Sequence, residues 1–208
     1  MENNEKKKDT AVTENTEPKN IGRRRIVSVI GNHRIEKDGI RYKMAFELGK
    51  ALIDNGYRVQ SGGLLGVMEA VTAGARSSKH YQEGDTIALL PSFDTETANE
   101  HVDIAIPTGM DVMRNAMVAN AYAVIGIGGG AGTLSEYAYA WSFNRLVIAF
   151  ENTGGWSEKL ANTRIADDIR YPDIPEDKVF GVKSAEEAIE LLNKYIHRYT
   201  RRHVPIKA

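Results

Sequence analysis

The chain has 208 residues, 42% of them hydrophobic, enough for one domain with a sizeable core. Its formal net charge is -1, which gives no global electrostatic pull toward nucleic acid or an anionic membrane. Cysteine is absent, which excludes disulfides and thiolate metal ligands, and no apolar run approaches a membrane span.

In chain order, residues 1–22 are polar, charged and poor in large apolar side chains, and are expected to form a disordered tail. They carry no secretory-signal pattern, so the expected address is cytoplasmic. Residues 23–197 read as one ordered domain, and residues 198–208 as a basic extension without periodicity. Residues 26–30 (IVSVI) predict a buried strand ending at Gly31. Ala45, Phe46, Leu48, Leu52 and Ile53 then recur at helical spacing, and Asn55-Gly56 stops that helix. Further strands are predicted at 57–60, 86–90, 102–106, 123–127, 146–150 and 178–182. Helices are predicted at 67–75, whose small residues imply close packing, and at 111–120 and 133–141. A capping box, Ser184-x-x-Glu187, opens a last helix through Ile196.

Short apolar strands alternating with helices predict an α/β fold. The expected form is a single doubly wound, Rossmann-like domain, with a mainly parallel sheet of about seven strands and helices on both faces. Ligands of such sheets bind beyond the carboxyl ends of the strands. Three glycine-bearing loops fall there: Gly31-Asn32, Gly62-Gly63 and Gly128 to Gly132.

The third loop, in GIGGGAGTLSE (residues 126–136), carries the most chemistry. A dinucleotide fingerprint would pair Gly126, Gly128 and Ala131 with Glu151 after the next strand, but that fingerprint normally opens its domain. A P-loop is excluded by its missing lysine. A third reading takes Gly128, Gly129, Gly130 and Gly132 as N–H donors to an anion, with Thr133 as a hydroxyl donor or cap. Glu136, a turn further on, then meets the sugar or base of a nucleotide, or merely favours the helix dipole. Arg114, with Asn115 beside it, precedes the strand that feeds this loop; it forks onto a phosphate, orients Glu136, or lies on an exposed helix face.

Gly-Gly-Gly-Ala-Gly-Thr-Leu-Ser-Glu resembles the signature of the LOG superfamily. That group includes cytokinin-activating nucleoside 5′-monophosphate phosphoribohydrolases and many proteins mislabelled lysine decarboxylases. Val29-Ile30-Gly31, Ser61-Gly62-Gly63 with Gly66 to Ala70, Thr108-Gly109-Met110 with Arg114-Asn115, and Gly154-Gly155-Trp156 are similar to its molybdenum-cofactor carrier-like and DprA-related branch. The resemblance implies a homodimer or homotetramer and a phosphorylated ligand, a nucleotide or molybdopterin-type molecule, over Gly31, Asn32, Gly62, Gly63, Arg114, Asn115, the loop glycines, Thr133 and Glu136. In the hydrolase branch the catalytic arginine and glutamate map onto Arg114 and Glu136. Gly128 stands where the hydrolases usually have proline, and Asn115 where they have a basic residue; both departures favour the carrier-like branch.

The leading expectation is therefore a carrier or sensor of such a ligand, with phosphoribohydrolase activity as the alternative. Neither reading requires a cofactor for chemistry, a membrane or nucleic acid. The five histidines show no metal-ligand spacing. His33 and Trp156 are candidates to line the crevice, or a plain loop residue and a packing residue respectively. Tyr122, Tyr137 and Tyr139 read as core or subunit contacts.

Overall fold

The computed structural model describes residues 23–201. The tail expected at 1–22 and residues 202–208 of the basic extension lie outside them. The elements run β1 (Ile26–Gly31), α1 (Ile40–Asp54), β2 (Arg58–Ser61), α2 (Val67–Arg76), β3 (Thr86–Leu90) and β4 (Ile104–Pro107). A 3₁₀ turn (Asp111–Arg114), α3 (Asn115–Ala119), β5 (Ala123–Ile127), α4 (Ala131–Ser142) and β6 (Leu146–Phe150) follow, then α5 (Gly155–Leu160), β7 (Phe180–Val182) and α6 (Ala185–Tyr195).

Every strand pairing is parallel, in the order β4-β3-β2-β1-β5-β6-β7. All residues of β3, β5 and β6 are buried, as strands covered on both faces require. Alternate side chains feed two cores. Val27, Val29, Ile125 and Ile148 join Leu48, Val71 and Leu192 of α1, α2 and α6. Ile30, Val124 and Val147 join Val118, Tyr137 and Trp141 of α3 and α4. The small residues of α2 have a specific partner in α1: a side chain on Gly49 would strike the Val71 carbonyl, and one on Gly74 the Phe46 carbonyl. The winding reverses between β1 and β5, which puts a crevice at their carboxyl ends.

Several predicted elements differ. The fourth strand starts at Ile104 rather than 102, and the last at Phe180 rather than 178. The helix expected at 111–120 is a 3₁₀ turn followed by a short α-helix. Its start is tied to the end of β3, because Gly109 N donates to Ser92 O at 2.8 Å and Asp111 N to Pro91 O at 3.1 Å. Asp111 takes φ 49° there, which α-helical geometry does not allow. Half of the capping box forms as read: Ser184 Oγ accepts from Glu187 N at 3.3 Å, while Glu187 Oε2 accepts from Lys183 N at 2.7 Å in place of the Ser184 amide.

Candidate ligand-binding crevice

A crevice of about 310 Å³ opens at the β1–β5 reversal. Gly31, Asn32 and His33 line it after β1, and Gly62 and Leu64 after β2. Gly130, Gly132 and Thr133 line it at the start of α4, and Arg114, Asn115 and Glu136 close it from the side. The three glycine loops therefore converge, as the topology predicts.

The glycine loop acts differently from the simple cradle read in the sequence. Gly128 N donates to Thr153 Oγ1 at 2.9 Å and Gly129 N to Asn32 Oδ1 at 2.7 Å. Both glycines are buried with positive φ, 64° and 98°. Their carbonyls are held from beyond β6: Ser157 N donates to Gly128 O and Trp156 N to Gly129 O. These two glycines brace the site, and their amides are already engaged. The donors left for an anion are the first-turn amides of α4, at Ala131, Gly132 and Thr133, which have no acceptor within their own helix. Gly130 caps that helix without a side-chain hydrogen bond, and its first turn holds no acid. Gly63 also falls behind the lining: its amide donates to Ser61 Oγ at 3.1 Å, and a side chain on it would strike Ala88.

Arg114 is not on an exposed helix face. It and Glu136 are 8% and 7% exposed, and Arg114 Nη1 lies 3.2 Å from Glu136 Oε1. The same Nη1 donates to Asn115 Oδ1 at 2.9 Å, and Asn115 Nδ2 donates to Ser135 Oγ at 2.9 Å. Arg114 Nε is buried with no acceptor among the described residues. Burial pushes the Glu136 carboxyl up to about 7, against the opposing pull of the Arg114 charge. Glu136 is thus a buried acid that holds its proton close to neutral pH.

Among the other candidates, His33 lines the crevice and is exposed. The Trp156 ring, half-buried, lies under Lys159 Nζ, 4.8 Å from its centroid, and does not line the crevice. Glu151 turns toward β7, where its Oε1 accepts from Asn162 Nδ2 at 2.5 Å, so it does not complete a dinucleotide fingerprint. Sequence reasoning missed Met68, Leu64 and Thr153. Met68 lies inside the quoted stretch Gly66 to Ala70, so a signal existed; nothing in the sequence marks Thr153. No group of three or more His, Cys, Asp or Glu side chains among the described residues is arranged to hold a metal, and no helix there is long and apolar enough to cross a membrane.

A family model described as the SLOG cluster4 family matches residues 24–188. The chain belongs to this family. Among its relatives, an uncharacterized protein of Archaeoglobus fulgidus is 36% identical over 126 residues, which span 60% of this chain and 79% of that protein. Among solved structures, the molybdenum cofactor binding protein of Rippkaea orientalis is 31% identical, with a TM-score of 0.66 over 84% of this chain and 98% of that one. The Moco carrier protein of Chlamydomonas reinhardtii is 26% identical, with a TM-score of 0.67 over 85% and 99% of the two chains. DNA processing protein A of Helicobacter pylori is 20% identical with a TM-score of 0.58 over 81% and 80%, a likeness of fold. These are the branches the sequence resembles, and the Rossmann-like SLOG fold is common to them.

Proposed function

We propose that this protein binds a phosphorylated, nucleotide-like or pterin ligand in the crevice at the β1–β5 reversal, as a carrier or sensor. One observation carries the reading: the uncapped N-terminus of α4 and the buried Arg114 guanidinium open on the same crevice. Backbone amides and a helix dipole favour a phosphate at that end. Glu136 would repel it if ionised. Its raised pKa removes part of that repulsion, since a neutral carboxyl donates a hydrogen bond instead. The molybdenum cofactor proteins among the structural neighbours support a cofactor-like ligand, and a volume of about 310 Å³ falls in the range of small-molecule pockets. The test is calorimetric titration of the purified chain with molybdopterin-type pterin phosphates and nucleoside 5′-monophosphates, beside Arg114→Gln. Binding lost in the variant supports the reading; no affinity for any of these ligands sinks it.

A second reading, nucleoside 5′-monophosphate phosphoribohydrolase, is favoured by the same Glu136. A carboxyl with pKa about 7 beside an arginine has the acidity of a general acid. It predicts release of free base from a nucleoside 5′-monophosphate, abolished in Glu136→Ala with binding retained. Chromatography showing no free base from any common nucleotide removes it.

A further inference from the structure

A second cavity, of about 560 Å³, lies between the β1–α1 loop and the loop that follows β6. It shares no lining residue with the crevice, yet the two are joined through one loop. Asn32, which lines the crevice, and Thr153, which lines the second cavity, accept from the amides of the adjacent Gly129 and Gly128.

Arg41 is built into this cavity. Its Nε donates to the Thr153 carbonyl at 2.6 Å. Two glycines clear its path. A side chain on Gly128 would come within 3.0 Å of Arg41 Nε, and one on Gly154 within 2.9 Å of Arg41 Nη2. Both glycines have positive φ, 64° and 66°. The arginine is thereby held by its Nε edge, while Nη1 and Nη2 have no hydrogen-bond or ion-pair partner among the described residues. Arg34 lines the same cavity, exposed and equally without a partner. The one acid in the lining, Glu36, pairs with neither. Lys37, on the same loop, is drawn away to Glu69 at 2.9 Å. α1 begins at this cavity with no side-chain cap and no acid in its first turn, which adds to the positive potential the arginines create.

A guanidinium fixed at one edge, with its outer donors free, suits a tetrahedral oxyanion. We propose that this cavity is a second anion site, holding a phosphate or diphosphate group on Arg41 and Arg34. The group belongs either to a separate small anion or to the distal phosphate of a ligand seated in the crevice.

The test is amide NMR of the full chain titrated with inorganic pyrophosphate. The expected result is shifts at Gly154 and Arg41, with affinity about tenfold weaker in Arg41→Gln, the effect of losing a charged hydrogen bond. Arg34→Gln, at an exposed position that cannot endanger the fold, is expected to weaken binding severalfold. Arg114→Gln is expected to leave it unchanged, which separates this site from the crevice. Adenosine 5′-diphosphate, at one ligand per chain, assigns the source. Shifts at both Gly154 and Gly132 mean that one ligand spans the two cavities. Shifts at Gly132 alone, with pyrophosphate still bound at Gly154, mean a separate anion. The proposal is overturned if pyrophosphate leaves Gly154 and Arg41 unmoved, or if Arg34→Gln and Arg41→Gln bind it as tightly as the parent.

Discussion

The guanidinium of Arg114 occupies the space that a side chain at position 62 would need: a methyl group on Gly62 would come within 2.5 Å of Arg114 Nη2. The glycine after β2 is thus a seat for the arginine that comes 52 residues later, on the far side of two strands. That seat presses the guanidinium against Glu136 and lets three separate loops form one electrostatic unit. It also explains how an acid could be tolerated beside the proposed anion site, because the arginine partly neutralises it and burial keeps its proton on.

Gly62→Ala is therefore expected to fold but to lose ligand. Alanine adopts the backbone of Gly62 without strain, since this glycine is not among those with positive φ. The added methyl displaces Arg114 and costs about 1–3 kcal/mol, as overpacking does. Thermal unfolding should show a modest drop in Tm, while calorimetry with whichever nucleotide or pterin phosphate binds the parent should show affinity down about tenfold or more. Unaltered affinity would mean that Arg114 does not hold the ligand.

The acidity of Glu136 makes stability depend on pH in a defined direction. The folded protein keeps this proton up to about 7, whereas the ordinary carboxyl loses it near 4.5. Between those values the folded state binds more protons than the unfolded chain, so this group makes stability fall as pH rises from 4.5 to 7, with no further change above. Urea midpoints at pH 5 and pH 8 are expected to differ less in Glu136→Gln than in the parent. Equal differences in the two proteins would mean that Glu136 titrates normally.

The parts of this molecule legible in the sequence are those encoded locally. Continuous apolar runs such as IVSVI and AVIGI mark strands buried on both faces, and glycines after them mark the loops that converge on the crevice. Glu136 and Arg114 were visible as candidates because their residue types are unusual at those places. Their contact stood only as one of three readings of Arg114, because the 3.2 Å approach depends on the 3₁₀ turn, whose start is tied to carbonyls of Pro91 and Ser92 far back in the chain. The engagement of the Gly128 and Gly129 amides was invisible for the same reason: their acceptors lie at positions 153 and 32.

The cluster under the carboxyl-terminal segment was equally illegible, and it tests the boundary between stability and binding. Arg170 forks onto Asp177, with Nε–Oδ2 at 3.0 Å and Nη2–Oδ1 at 2.7 Å, and stacks 3.6 Å over the Trp141 ring. Tyr199, 1% exposed, donates to Asp177 Oδ1 at 2.6 Å. Asp177→Ala leaves a buried guanidinium uncompensated and is expected to cost about 3–5 kcal/mol. Chemical denaturation measures this directly. Ligand affinity of the protein that remains folded should be unchanged, because none of these residues lines the crevice; a parallel loss of affinity would tie the cluster to the site.

The bridge between the two cavities yields the most demanding prediction. Asn32→Ala removes the acceptor of a buried amide at Gly129, and Thr153→Val removes that of Gly128. Each single change is expected to cost about 1–3 kcal/mol, the penalty for an unpaired buried donor. The two amides belong to neighbouring residues of one loop, so once the loop has relaxed around the first loss, the second costs less. The double variant should then be more stable than the sum of the single effects predicts, by at least about 0.5 kcal/mol, the usual scale of coupling between residues in contact. Denaturation of the four proteins closes the cycle. Strict additivity would show that Asn32 and Thr153 hold independent pieces of backbone, and the loop could not then carry the state of one cavity to the other.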